Sequence, residues 1–222
     1  MANKSLNPTI VAEVLGALSI AGTIIASPLL RPWYRKWGAS AEEVAMALPG
    51  DQLVPDPRLE STRAVTIQAP AARVWPWLVQ MGQGRGGLYS YERLENLVGC
   101  DMHNADEILP HFQELNIGDQ IRLGPEGYPA FEVAAIVPGI ALILRGDTPN
   151  PAGKPTTWIW IFFLAPIDEQ TSRLLLRSRL DYEPSPGNEI SWRVFTDPIA
   201  FNMEREMLRG IRRRVEASVS PP

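Results

Sequence analysis

The chain has one cysteine, Cys100, in 222 residues, so no internal disulfide is possible and nothing calls for an oxidising compartment. It also lacks an excess of positive charge. Lys and Arg number 21 against 25 Asp and Glu, a net charge of −4. A nucleic-acid surface needs a basic face or stripe, so a nucleic-acid partner is not expected. No phosphate-binding loop is present. Gly82, Gly84, Gly86 and Gly87 form a glycine-rich turn, but it lacks the Lys-Ser/Thr ending and follows a helical pattern rather than a strand. A lid or a tight turn is the expected use of these glycines. Zinc-ligand spacing is missing too. Cys100, Asp101, His103 and His111 crowd one stretch without it, so neither a metal nor a cofactor is expected.

What is present is unevenly spread. Seven tryptophans and 21 prolines are many for this length. The prolines cluster near 49–57, 125–129, 149–155 and 184–186, between apolar runs, which reads as loops rather than disorder. Residues 9–30 carry a single charge, Glu13, and at 1.5 Å per residue span ~30 Å, about one hydrocarbon core. Trp33, Tyr34 and Trp37 follow, mixed with Arg31, Arg35 and Lys36, as at an interfacial anchor. A membrane-anchoring helix is expected over 1–37, with the main domain on the cytoplasmic side of the basic flank. The other reading is a helix packed on the domain, because Ala, Gly, Ser and Thr dilute its apolar character. Ala39-Ser40-Ala41 looks like a cleavage triplet but lies beyond the basic cluster, too far from the apolar run.

Residues 38–58 read as a linker. Ser40 and Glu43 form a capping-box pattern for a short helix that Pro49-Gly50 stops. The domain proper is expected over 59–218, long enough to bury roughly 70% of its unfolded surface. Val65 and Ile67 alternate with polar residues in a half-buried strand over 62–68. Val74, Trp75, Leu78 and Val79 then fall at helical spacing, with Pro76 as a kink or restart. Ser90 suits the cap of a helix over Leu94–Val98. Asn104 and Glu107 suit the start of another, with Ile108, Leu109 and Phe112 on its apolar side. Strand patterns follow at 119–123, 130–137, 140–144, 157–164 and 173–182, separated by turn signals that include Pro138-Gly139. Short connections between them imply an antiparallel meander. Trp158, Trp160 and Phe162 share one face of a strand whose other face holds Ile159, Ile161 and Phe163, so cover on both sides is expected. Finally Ile199, Met203, Met207, Ile211 and Val215 recur every four residues in a long helix over 197–217, with Asp197 before Pro198 as its cap.

These elements describe an α+β helix-grip layout. The run A-P-x-x-x-V-W-x-x-L at 69–78 resembles the start of the START/Bet v 1-like superfamily, also called SRPBCC or polyketide cyclase/dehydrase-like. The stretch QMGQGRGGLYSYERLENL at 80–97, with CDMHNAD at 100–106, resembles a bacterial subgroup of it. The resemblance covers about residues 60–217. It implies a curved antiparallel sheet around the long C-terminal helix, with an apolar cavity between them and a hydrophobic small molecule as partner. It implies no particular reaction.

Within this layout the expected ligand-binding residues are Trp75, Arg85, Tyr89, Tyr91, Glu95, Trp158, Trp160, Phe162, Met203 and Met207. His103 with Asp101, or with Asp106, is the candidate acid–base pair, should the domain be a cyclase-type enzyme. A third reading is an interaction module whose own side chains fill the interior. Cys100 reads as a small buried residue.

Overall fold

The structure is a computed structural model that describes residues 8–148 and 154–219. Most of the proline-rich turn at 149–155 lies outside the described residues, as does Lys4. Among the described residues, six strands form one antiparallel sheet: β1 (Leu59–Ile67), β2 (Gln120–Arg122), β3 (Ala130–Val137), β4 (Ala141–Thr148), β5 (Thr156–Pro166) and β6 (Ser172–Asp181). Their order is β1-β6-β5-β4-β3-β2, a meander closed by β1 pairing with the last strand. The helices are α1 (Pro8–Ile25), α2 (Ser27–Tyr34), α3 (Ala41–Ala45), α4 (Ala71–Val79), α5 (Glu92–Leu97), α6 (Pro186–Ile190) and α7 (Asp197–Val219). The sheet grips α7, so the fold is the expected α+β helix-grip.

The alternation of β5 builds a core on each face of the sheet. Trp160, Phe162 and Leu164 join Val65, Ile67, Leu174 and Leu176 toward α4 and α7. Ile159 and Ile161 join Ile143 toward the other face, where Leu48 and Val54 of the 38–58 segment cover them. Arg177 of β6 pins that cover. It is 3% exposed and donates to the carbonyls of Glu43, Val44 and Met46, to Thr62 Oγ1 and to Asp51 Oδ2. The free edge of β1 is also closed, since Thr62 and Ala64 donate their backbone N–H groups to the carbonyls of Arg35 and Trp37.

Three expectations about helices are corrected. The N-terminal run is not one straight span: α1 stops at Ile25 and α2 leaves at 110°. Pro28 in the first turn of α2 has no N–H to continue the ladder of α1. Among the described residues no single helix is long and apolar enough to cross a membrane. The bent pair reaches that length only together. The helix expected from Asn104 forms only as a turn at Pro110–Phe112, because Gln80, fully buried, takes the Leu109 N–H at 2.8 Å and the Glu107 carbonyl at 3.1 Å. Asp197 does not cap a free helix end. The chain is already helical through α6 and a π turn at Ser191–Thr196, and that turn absorbs the N–H that Pro198 lacks.

α1 lies on the domain with its polarity inverted. The Glu13 carboxylate accepts from the backbone N–H groups of Arg93 and Leu94 and so caps α5 in place of Ser90. Ser19 donates to Asn202 Oδ1 of α7 at 2.6 Å, and Thr23 is buried. Ile10, Val11, Val14, Leu15, Leu18 and Ile25 face outward, continued by Leu29, Leu30 and Trp33 of α2.

The grip of α7 depends on one close approach. A Cβ at Gly210 would sit inside contact distance of the Tyr89 carbonyl oxygen. Helix propensity favours alanine there by about 1 kcal/mol, but a clash with fixed backbone outweighs it, at roughly 1–3 kcal/mol or more. Gly210→Ala is therefore expected to lower the midpoint of thermal unfolding. An unchanged or raised midpoint in a calorimetric scan would contradict the packing described.

Candidate functional site

The cavity lies beside residues 199–207 of α7. Beyond them Leu208, Ile211 and Val215 close onto the sheet and leave no exposed surface. The expected stripe drifts for a geometric reason. Steps of four residues advance 400° on a helix of 3.6 per turn, so the row rotates out of the core toward its N-terminal end. Ile199 is accordingly 39% exposed at the cavity mouth, while Phe201, Glu204 and Leu208 take the buried face.

The void measures about 250 Å³ and is lined by Leu88, Leu123, Trp158, Trp160, Ile199, Ala200, Met203 and Met207, with Cys100, Ser90, Thr196, Glu95 and Glu204 as its polar or weakly polar members. A second hollow of about 240 Å³ shares Leu123 and Trp158 and reaches Tyr128, Phe131 and Trp192. The aromatic wall is stiff. Trp160 stacks on Phe131 with centroids 4.6 Å apart, and Trp158 Nε1 donates to Ser178 Oγ at 2.6 Å.

Two carboxyls reach this space. Glu204 is 1% exposed. Arg63 of β1 donates to its Oε2, and Trp160 Nε1 donates to its Oε1 at 3.1 Å. Arg63 also donates from Nε to the Tyr34 carbonyl at 3.1 Å and lies over the Phe201 ring. Burial pushes the Glu204 carboxyl up, and the Arg63 guanidinium pulls it back. Glu95 has no such cation. Burial, with Glu13 and Glu92 adding negative charge, pushes its carboxyl up to about 7, against a smaller opposing pull from Ser90. Its Oε2 has no hydrogen-bond partner among the described residues. The Cys100 thiol is pushed up by burial and by Glu95, so it is neutral and unactivated.

The structure gathers Glu95, Trp158, Trp160, Met203 and Met207 at the cavity. It places the other five elsewhere. Phe162 is fully buried in the core and Trp75 packs against it. Tyr89 is buried and donates its hydroxyl to the Trp77 carbonyl. The Tyr91 ring lies against Gly16 of α1. Arg85 donates to the carbonyls of Val79 and Phe112 and stacks over the Phe112 ring at 4.7 Å. His103 and Asp101 do meet, at 3.2 Å, but with side chains 76% and 65% exposed, outside the cavity lining. Asp106 pairs with Arg214. Sequence reasoning missed Arg63 and Glu204. The available signal was parity, since Arg63 is in register with Val65 and Ile67 on the face that points inward.

The fold and site define an α+β helix-grip domain with a mainly apolar cavity beside its long helix. No protein-family model and no curated protein sequence matches the chain. It is similar to solved structures at low identity. A hypothetical protein from Helicobacter pylori shares 11% identity at a TM-score of 0.46, over 76% of this chain and 94% of that one. A Polyketide_cyc-like protein from Corynebacterium glutamicum shares 16% at 0.40, over 75% and 96%. The di-domain ARO/CYC protein of the BE-7585A biosynthetic pathway shares 12% at 0.39, over 73% and 48%. These likenesses describe shape and say nothing of ligand or reaction.

Glu95 has a consequence for stability. Folded, its carboxyl keeps its proton to about pH 7; unfolded, it loses it near the ordinary 4.5. Between these values the folded state binds more protons, so its contribution to stability falls as pH rises through the window and stays low above it. Glu95→Gln removes this penalty. At about pH 8 the variant is expected to be more stable by about 1–3 kcal/mol, with the gain vanishing near pH 4.5. Equal urea midpoints for the two proteins at about pH 8 would contradict the burial of this carboxyl.

Proposed function

We propose that this chain is a binding or carrier domain for a hydrophobic small molecule, held at a membrane surface by α1 and α2. One observation carries the first part: a void of about 250 Å³, mostly apolar, is left between α7 and the sheet, with few polar groups placed in it. A guest of matching shape gains dispersion contacts with this lining on several sides. Trp158 and Trp160 form a rigid wall, and Met203 and Met207 form an adaptable one. Thr196 and Ile199 bring the lining to the surface, next to the exposed Phe195.

The inverted polarity of α1 supports the membrane part. A surface helix in water turns its polar side out. Here Glu13, Ser19 and Thr23 turn in, and every exposed residue of α1 from Ile10 to Ile25 is apolar. Trp33 is half exposed and Lys36 is exposed at the end of this face. Such a helix lies along a bilayer rather than across it. The cyclase-type alternative draws less support, because the His103–Asp101 pair stands in solvent outside the cavity.

Two experiments test the reading. Native mass spectrometry of gently purified protein is expected to show an added apolar mass. Met207→Trp, which fills the void, should lose that mass while keeping the fold, and His103→Ala should keep it. Retention in Met207→Trp would place the guest elsewhere. For the membrane, wild-type protein is expected to float with vesicles containing roughly one-third anionic phospholipid, and a Leu15→Glu/Leu18→Glu variant to remain behind. Equal flotation of both would remove α1 from the account.

A further inference from the structure

The cavity wall contains one carboxyl without a cation. Glu95 is 7% exposed and lines the void, and its Oε2 is sealed from solvent with no partner among the described residues. A buried polar atom in that state is costly, and native proteins pair nearly all of them. Glu204, Arg63 and Ser90 beside it have partners of their own. Both oxygens of Glu204 accept hydrogen bonds, from Arg63 and Trp160. Arg63, the cation beside the cavity, is committed to Glu204 and to the Tyr34 carbonyl and is 1% exposed. Ser90 Oγ accepts from the Tyr91 N–H, lies 3.8 Å from Met203 Sδ as a donor, and is close enough to the Glu95 carboxyl to hold it down.

The charges acting on Glu95 have one sign. Glu13 reaches it from α1 and Glu92 from its own helix, while the neighbouring Cys100 is neutral. Glu204 on α7 is balanced by Arg63. An anionic guest would therefore meet a carboxyl held by Ser90 alone and, among the described lining residues, no free cation, in a low-dielectric space where like charges repel strongly. A cationic donor would meet the acceptor it needs, in a charge-assisted hydrogen bond.

We propose that the cavity takes an apolar molecule ending in a protonated amine, paired with the Glu95 carboxylate, and rejects a molecule of the same shape ending in a carboxylate. This rests on the reading of the void as a ligand site and deepens it to a ligand class. The amine keeps its proton and no bond is made or broken. Selectivity comes from leaving the wrong end group unpaired.

The test uses three probes of one length: octylamine, octan-1-ol and octanoate. Each is titrated into the full chain at about pH 8 and followed by tryptophan fluorescence, since Trp158 and Trp160 form the wall. Octylamine is expected to bind at least ~10-fold tighter than octanoate, with octan-1-ol between them. In Glu95→Gln the amine is expected to fall to the affinity of the alcohol, and the alcohol to change by less than ~2-fold. Met207→Trp should weaken all three. Octanoate binding as tightly as octylamine, or an amine preference that survives in Glu95→Gln, would overturn the proposal while leaving the cavity reading intact. Failure of octan-1-ol to bind at all would overturn the cavity reading and this proposal with it.

Discussion

Arg63 and Glu204, each 1% exposed, form a buried ion pair that fixes how α7 sits on the sheet. It joins the edge strand β1 to the N-terminal half of α7, and through Trp160 and the Tyr34 carbonyl it reaches β5 and the end of α2. Removing two charges from water is costly, so such a pair adds little net stability compared with well-packed apolar residues. Its effect is geometric. Breaking it by removing one partner would strand the other charge, at a cost of about 3–5 kcal/mol. Where the pair stands, the helix meets the sheet through long polar side chains. Where Leu208, Ile211 and Val215 follow, it meets the sheet directly. The void lies on the polar side of that transition.

The same end of α7 gathers the N-terminal helices. Tyr34 and Arg35 donate to the Asp197 carboxylate at 3.0 and 2.9 Å, and the Tyr34 ring stacks on Phe201 at 5.1 Å. Ser19 and Arg205 meet at Asn202. Each polar residue that α1 and α2 spend on the domain is one fewer facing out, which leaves their outer surface apolar. The attachment of these helices and the position of the cavity mouth are thus set by neighbouring residues on one helix, from Asp197 to Glu204.

The fold was largely legible in the sequence. The strands announce themselves by alternation and by turns such as Pro138-Gly139, where Gly139 has the positive φ that the turn requires. Both faces of β5 are covered, as its two apolar faces imply. The helix expected at 104–112 did not form, because its capping pattern competed with Gln80, a distant side chain that local patterns do not reveal. The cap of α5 was also not local, since Glu13 arrives from eighty residues away in sequence. Site residues were half legible. Chemistry picked out Glu95 and the aromatic wall, but it favoured Arg85 and Tyr89, whose polar ends the backbone had already taken. Burial and pairing decide such cases, and neither is a property of one residue.

If the space between α7 and the sheet admits a guest, the methionines that line it will report the guest first. The chain carries six methionines. Met203 and Met207 line the void, while Met81 and Met102 are fully buried in the core away from its lining. The most direct measurement is a carbon-13 NMR titration of methionine methyl groups with octan-1-ol. Saturable shifts are expected at Met203 and Met207 together, with Met81 and Met102 unmoved. Unshifted resonances at Met203 and Met207, or shifts spread evenly over all four, would contradict a guest in this space.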